Sequence, residues 1–336
     1  MPANVPGPVD GVVVEEVPIV DIAPFRLGDD EDRRRIADAV ALACEEIGFL
    51  TISGHGVAEE LIVSTRDAAL RFFDLPLEQK EVASPAQGLF RGYRSVESTK
   101  LAASLGQETP PDLKEVFIVG SPAGDDEYYT GPGGRPFFAE TPWPPRPADF
   151  RERVMAYYRR LEDLGVLLRR IFATALDLPE DWFEDKWQRH TSLLSLVHYP
   201  AQEGTPAPGQ LRAGAHADYG SFTMLQKDPG EASLQVLRKD GEWVDVVPPA
   251  GTFVINIGDQ LAQWTNDRWV STKHRVINPT GEAARRRRLS MAFFCQPDYD
   301  AAVAPLTRPD EEPRYAPTTA GEILLSKFRK STGMEE

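Results

Sequence analysis

Cysteine is nearly missing from this chain: Cys44 and Cys295 are its only two among 336 residues. Each lies in an apolar segment that reads as a core element, so a disulfide framework is not expected and a reducing cytoplasm is the simpler setting. Long apolar runs are missing too. None reaches the ~18–20 residues needed to span a bilayer, and residues 1–8 lack the basic-then-apolar pattern of a secretory leader. Positive charge is in deficit, with 37 Lys and Arg against 52 Asp and Glu and a net charge of −15. Such a chain repels phosphate backbones and anionic membrane surfaces, so neither nucleic acid nor membrane is an expected partner. The one basic run, residues 285–288, reads as a solvated hairpin with one arginine turned inward. Histidine is scarce: His55, His190, His198, His216 and His274 are all there are. What remains is a soluble cytoplasmic protein, monomer or weak homo-oligomer, with 41% hydrophobic residues to build a sizeable core.

The chain divides into a helical first half and a β second half. Residues 17–21 read as a strand. Asp29 or Asp30 can cap a helix from about Glu31, whose apolar positions Ile36, Val40, Cys44 and Ile47 share one face. Residues 49–52 read as a strand and 58–73 as a helix stopped before Pro76. Residues 84–147 form a long Pro-, Gly- and acid-rich excursion containing one strand at 115–119. The strongest helix spans about 148–176, with Val154, Tyr157, Tyr158, Leu161, Leu164, Leu168, Ile171 and Phe172 in the three/four rhythm, and ends before Pro179. A short helix is expected near 180–186. Strands are then expected at 193–199, 221–226, 233–237, 243–247, 252–257, 274–278 and 288–296, with turns at 228–230, 239–241, 248–249 and 279–281. A last helix, 321–330, has Ile323, Leu324 and Phe328 on its apolar face. Short strands at regular spacing argue for a sandwich or barrel. We read residues 1–190, 191–300 and 301–336 as helical region, β core and tail of one structural unit.

Within the β half stands His216-Ala217-Asp218, followed 58 residues later by His274. Residues i and i+2 of a strand point to the same side. His216 and Asp218 can therefore grip one metal from a single strand or its frayed end, with His274 arriving from another. Two imidazoles and one carboxylate are the donor set of a non-haem Fe(II) site with open positions. A bare His-x-Asp is a weak signal alone; its flanks strengthen it.

Those flanks are Leu234-Gln235-Val236-Leu237 with Gly241-Glu242-Trp243; Asn256-Ile257-Gly258-Asp259 with Trp264-Thr265-Asn266; and Thr272-Lys273-His274-Arg275-Val276 with Arg288-Leu289-Ser290. Earlier come Val17-Pro18-Ile19-Val20-Asp21, Gly48-Phe49-Leu50, Gly54-His55-Gly56, Gly92-Tyr93 and Asp112-Leu113-Lys114-Glu115. In this order, over about residues 15–300, the chain resembles the Fe(II)/2-oxoglutarate-dependent oxygenases of the isopenicillin N synthase-like family. The resemblance implies an α+β fold: a distorted double-stranded β-helix, or jelly roll, with a helical N-terminal portion and a long supporting helix. It implies His216, Asp218 and His274 as iron ligands. It implies Arg288 and Ser290 as the holders of the distal carboxylate of 2-oxoglutarate, with Tyr199 helping to position co-substrate or substrate. Arg288 and Ser290 are again i and i+2, and an inward guanidinium needs an anion.

The implied reaction consumes 2-oxoglutarate and O2, releases succinate and CO2, and oxidises a C–H bond of a small molecule. With Asp218 retained, hydroxylation, desaturation or ring formation is favoured over halogenation. Arg91, Tyr93, Phe294, Gln296 and the C-terminal helix are expected to line a substrate pocket, suited to a small acidic or amino-acid-like compound. His55 reads as structural, His198 as facing away from Tyr199, His190 as without a role, Asn256 and Asp259 as turn and hydrogen-bond residues, and Trp264 as core. Three departures from the family pattern are Glu231-Ala232-Ser233, where Gly-Gly is common, His198 ahead of Tyr199-Pro200, and a lengthened, arginine-rich stretch between His274 and Arg288. Two other functions remain open at this point: an iron oxidase of the same family that does not use 2-oxoglutarate, and a non-catalytic cupin-like metal-binding protein.

Overall fold

The structure is a computed structural model that describes residues 16–86, 89, 91–202, 204–228 and 233–332, without the side chains of Phe328 and residues 330–332. The expectations for residues 1–8, for Pro229 and Gly230 of the first turn, for Glu231-Ala232 and for Phe328 lie outside the described residues. The elements run β1 (Ile19–Asp21), α1 (Ala23–Leu27), α2 (Asp30–Glu46), β2 (Phe49–Ser53), α3 (Glu59–Phe73), α4 (Leu77–Glu81), β3 (Gly92–Arg94), β4 (Glu115–Gly120), α5 (Glu127–Thr130) and α6 (Phe150–Ala175). Then follow β5 (Leu193–Tyr199), β6 (Ala213–His216), β7 (Phe222–Lys227), β8 (Leu234–Leu237), β9 (Trp243–Asp245), β10 (Phe253–Ile257), α7 (Asp259–Trp264), β11 (His274–Val276), β12 (Arg288–Cys295), β13 (Ala302–Val303), β14 (Thr318–Thr319) and α8 (Ala320–Thr332). Among the described residues no helix is long and apolar enough to cross a membrane.

Local chemistry explains the main elements. Asp29 caps α2 by accepting from the Asp32 amide at 3.0 Å. Gly48 ends that helix with φ +67, a left-handed conformation suited to glycine, and its amide donates to Ala43 O at 2.9 Å. In α6 the residues Val154, Tyr157, Tyr158, Leu161, Leu168 and Ile171 are fully buried, one stripe along 26 residues. Each such side chain contributes roughly 1.5–3 kcal/mol by burial.

Eight strands form one sheet in the order β1-β2-β10-β7-β12-β5-β4-β3, and four form a second in the order β6-β11-β8-β9. Strand alternation splits the large sheet into two faces. Leu289, Met291, Phe293 and Cys295 of β12, with Leu194 and Leu196 of β5, share one core with α2, α3 and α6. Tyr199, Val254 and Phe49 share the other with Ala213, Leu234, Val236 and Val276 of the small sheet. The second core fills the space between the sheets, and residues 288, 290, 292 and 294 of β12 face it.

The strands expected in the first half are present as β1, β2 and β4, and with β3 they supply half of the large sheet. Two points differ from expectation. The helix expected at 180–186 is one 3-10 turn, Glu184–Lys186. The strand expected at His216 is β6, whose extent the residues do not mark because Ala-Gly-Ala-His lacks the β-branched and aromatic residues typical of strands.

Leu168→Ala should destabilise the protein by about 2–5 kcal/mol through the cavity it leaves. Urea denaturation checks this, and a loss below about 1 kcal/mol would show that α6 is not packed as described.

Candidate active site

The three candidate ligands are assembled by one strand pairing. His216 ends β6 and His274 begins β11, and the antiparallel register puts them directly opposite each other. Their ring centroids are 4.3 Å apart. Asp218, two residues beyond His216, places Oδ1 3.8 Å from Nε2 of each imidazole. One ligand atom from each residue lies within 4.8 Å of the others.

The surrounding hydrogen bonds settle which atoms face inward. His216 Nδ1 lies 2.8 Å from Gly214 O and His274 Nδ1 lies 3.2 Å from Thr272 O. A carbonyl only accepts, so each Nδ1 carries the proton and each Nε2 offers its lone pair. Asp218 Oδ2 accepts from Asn256 Nδ2 at 2.7 Å and from Thr223 Oγ1, which leaves Oδ1 for the shared point. Phe49 packs its ring against His274 at 5.4 Å. Burial, helped by the neighbouring His274, pushes His216 down to about 3, so it is a neutral ligand. Burial alone would raise the Asp218 carboxyl. The two imidazoles and the hydrogen bonds from Asn256 and Thr223 reverse this and hold it below the usual carboxylate range. Two neutral imidazole nitrogens and one carboxylate oxygen, oriented by second partners, fit a divalent iron ion.

Arg288 and Ser290 lie on the interior face of β12, at 5% and 2% exposure. Arg288 is opposite Tyr199 in the register, and its guanidinium carbon sits 5.1 Å from that ring. Tyr199 also has the Arg212 guanidinium 5.9 Å from its centroid. Ser290 Oγ is buried with no hydrogen-bond partner among the described residues. Further along the same face, Phe294 pairs with Thr223, the residue that holds Asp218. Ser290 to Phe294 is about 13 Å of strand. A cationic end and a metal-binding end thus face one interior.

The residues expected to line a substrate pocket divide. Phe294 and Gln296 are half-buried at the metal end; Gln296 Oε1 accepts from Thr191 Oγ1 at 3.3 Å. Tyr93 is a correction: its hydroxyl donates to Glu115 Oε2 at 2.6 Å, in the core facing the helices. Glu115 also takes hydrogen bonds from Lys80 and His198, so strand alternation commits Tyr93 to a buried network on the far side of the sheet. Arg91 is a second correction. It is 4% exposed and donates to Ser121 O at 2.8 Å and to Phe137 O, and burial lowers it to about 10. Both donors are engaged by backbone carbonyls rather than by the interior.

Several other readings stand where the sequence put them; Asn256 is an exception, lying in β10 rather than in a turn. His55 bridges Gly251 O and the Val57 amide. His198 stacks on Phe73, away from Tyr199. Asp259 pairs with Lys327, and Trp264 is core. His190, read as without a role, pairs with Glu162. The basic run is not the expected hairpin, because β11 and β12 lie in different sheets and a 3-10 turn over Gly281–Arg285 joins them; within the run Arg288 turns inward and Arg287 pairs with Asp74. Sequence reasoning missed Thr223 and the buried pair Asp112 and Lys114. Only the Asp112-Leu113-Lys114-Glu115 motif hinted at the latter.

Two sheets enclosing a His-x-Asp…His cluster at one end and an Arg-x-Ser pair at the other define a jelly-roll oxygenase. Comparison with known proteins makes the class specific. The model described as "non-haem dioxygenase in morphine synthesis N-terminal" matches residues 17–146, and that of the "2OG-Fe(II) oxygenase superfamily" matches residues 190–297. The chain is 35% identical over 329 residues to the 2-oxoglutarate-Fe(II) type oxidoreductase hxnY of Emericella nidulans, covering 95% of this chain and 91% of the relative. It is 32% identical over 326 residues to a homoarginine-6-hydroxylase of Oryza sativa subsp. japonica, covering 93% and 96%. A full-length protein of Neurospora crassa, crystallised in complex with alpha-KG, superposes with a TM-score of 0.82 at 26% identity, covering 93% and 95%. The chain belongs to the Fe(II)/2-oxoglutarate-dependent oxygenases. It is a 2-oxoglutarate-dependent dioxygenase of the kind that acts on small molecules.

Asn256→Ala removes a partner of Asp218 and should weaken Fe(II) binding about 10- to 100-fold. Competition against a chelator measures this, and unchanged affinity would rule out the orienting role. The pH dependence has a defined sign. The folded-state value of His216 lies below its unfolded value of about 6.5. The stability it contributes is therefore present above 6.5 and lost as pH falls towards 3. Over that window, the melting temperature of metal-free wild type should fall more steeply than that of His216→Gln; parallel curves would contradict the neutral, buried imidazole.

Proposed function

We propose that His216, Asp218 and His274 hold the Fe(II) and that Arg288 and Ser290, with Tyr199, hold the distal carboxylate of 2-oxoglutarate. The observation that carries the reading is the convergence of two Nε2 lone pairs and Asp218 Oδ1 on one point. Bound iron supplies activation of O2 and the oxidative decarboxylation of 2-oxoglutarate to succinate and CO2. The protein supplies position and shielding. Thr223 and Asn256 fix the carboxylate, Gly214 and Thr272 fix the imidazole planes, and Phe49 packs His274. The Arg288 guanidinium offers a planar fork to a carboxylate, Ser290 Oγ adds a hydroxyl donor, and Tyr199 buttresses the arginine. Leu225 and Val254, packed on the inter-sheet core, keep water from the path between the two ends.

The substrate is placed near Phe294 and Gln296, where a C–H bond is hydroxylated, desaturated or used in ring formation. We assign it to small acidic or amino-acid-like compounds, a class that the name of the rice relative supports by analogy. The protein is read as one structural unit over residues 1–190, 191–300 and 301–336, monomeric or weakly self-associating. Its buried thiols, Cys44 and Cys295, suit a reducing cytoplasm.

His216→Ala or Asp218→Ala is expected to abolish substrate-dependent succinate formation, and Arg288→Met to raise the KM for 2-oxoglutarate about tenfold or more. Oxygen consumption with and without 2-oxoglutarate separates this from the oxidase reading. Uptake that does not require 2-oxoglutarate, or full turnover in Asp218→Ala, would refute the assignment.

A further inference from the structure

One buried cation has no part in the reading above. Lys114 is 7% exposed. Its neighbour Glu115 faces the helical layer, bonded to Lys80, Tyr93 and His198, so alternation turns Lys114 to the interior between the sheets. Glu115 pairs with His198; continuing that register puts Lys114 beside Tyr199, on the side away from Arg288. Its ion-pair partner Asp112 accepts from the Gly214 amide, two residues before His216. Lys114 therefore stands between the metal end and the cationic end of the interior.

Its one charged partner among the described residues is Asp112, whose Oδ2 is 3.6 Å from Nζ, longer than a direct hydrogen bond. Asp112 is already well engaged. Its Oδ1 accepts from the Gly214 amide at 2.8 Å, and its Oδ2 accepts from Thr99 Oγ1 and the Leu101 amide, each at 3.1 Å. These contacts fix Asp112 against the strand that carries His216. They hold Lys114 chiefly by charge, with no acceptor closer to Nζ than Asp112 among the described residues. A buried ammonium is costly unless its donors are met. Asp112 compensates for the charge at 3.6 Å, and a ligand oxygen entering the interior would give the ammonium a closer acceptor.

We propose that Lys114 is an anion-binding residue of the active site that takes a carboxylate oxygen of a bound ligand. This rests on the metal and co-substrate sites proposed above. Two ligands could supply the group: 2-oxoglutarate, through its metal-end carboxylate, or an acidic substrate. Either makes Lys114 a determinant of which molecules the interior accepts.

The test uses the full chain loaded with Mn(II) in place of Fe(II), so that ligands bind without turnover. 2-Oxoglutarate is titrated calorimetrically into wild type, K114M, K114R and R288M. A loss of about tenfold or more in K114M, the scale of one charged hydrogen bond, with substantial recovery in K114R, assigns the carboxylate to 2-oxoglutarate. If that affinity is unchanged, small carboxylic acids are paired with their carboxamides and scored by succinate release from the Fe(II) enzyme. K114M should then cut the acid-over-amide preference by about tenfold while the KM for 2-oxoglutarate holds. Unchanged 2-oxoglutarate affinity, together with an acid preference that is missing from wild type or survives in K114M, overturns the proposal. Should K114M fold poorly, K114Q, which removes the charge but keeps a polar side chain, is read the same way. R288M binding 2-oxoglutarate as tightly as wild type would count against the distal clamp instead, so the two failures are distinguishable.

Discussion

The site depends on the antiparallel pairing of β6 with β11. That register sets His216 opposite His274, and the strand period brings Asp218 back to the same side. That pairing sets the two imidazoles 4.3 Å apart. Slipping the register by one residue would point one histidine out of the interior. The small sheet is therefore the constrained part of the molecule. The large sheet and its helices are the support that keeps it in register.

Several features secure that pairing without touching the ligand atoms. Asp112 ties the Gly214 amide, and Gly214 in turn orients His216. A Cβ on Gly214 would lie 3.0 Å from that of Ala102, so the close approach of the preceding loop favours glycine there. On the other strand, Thr272 Oγ1 donates to Ile47 O at 2.6 Å, fastening the entry to β11 to the end of α2. The charge distribution follows the same division. The chain as a whole carries −15, yet Lys114, Arg212, Lys227 and Arg288 are all buried. An acidic exterior around a cationic interior suits a small anionic co-substrate.

Much of this was legible in the sequence where one period decides. Helix α6 was visible because Val154 through Phe172 repeat without interruption. The ligand pair was visible because His-x-Asp and Arg-x-Ser each obey the strand period of two. What could not be read depends on which distant segment comes to lie alongside. Thr223 and Asn256 meet Asp218 from two strands whose order in the sheet is not local information. Tyr93 went to the wrong side because a three-residue strand in a long excursion carries too short a pattern to set its facing. Arg91 looked free to meet a ligand, but the carbonyls of Ser121 and Phe137, 30 and 46 residues away, take its donors. Lys114 stands out in the sequence only as part of a motif, because its setting depends on Asp112 meeting Gly214, about a hundred residues away.

The most direct measurement is iron stoichiometry after anaerobic reconstitution with Fe(II) and removal of loosely bound metal. The geometry of the paired strands predicts one iron per chain in the wild type and none retained by the double variant His216→Ala/His274→Ala, with secondary structure preserved in both. One iron per chain in the double variant would contradict the account, because it would place the metal away from the two facing histidines.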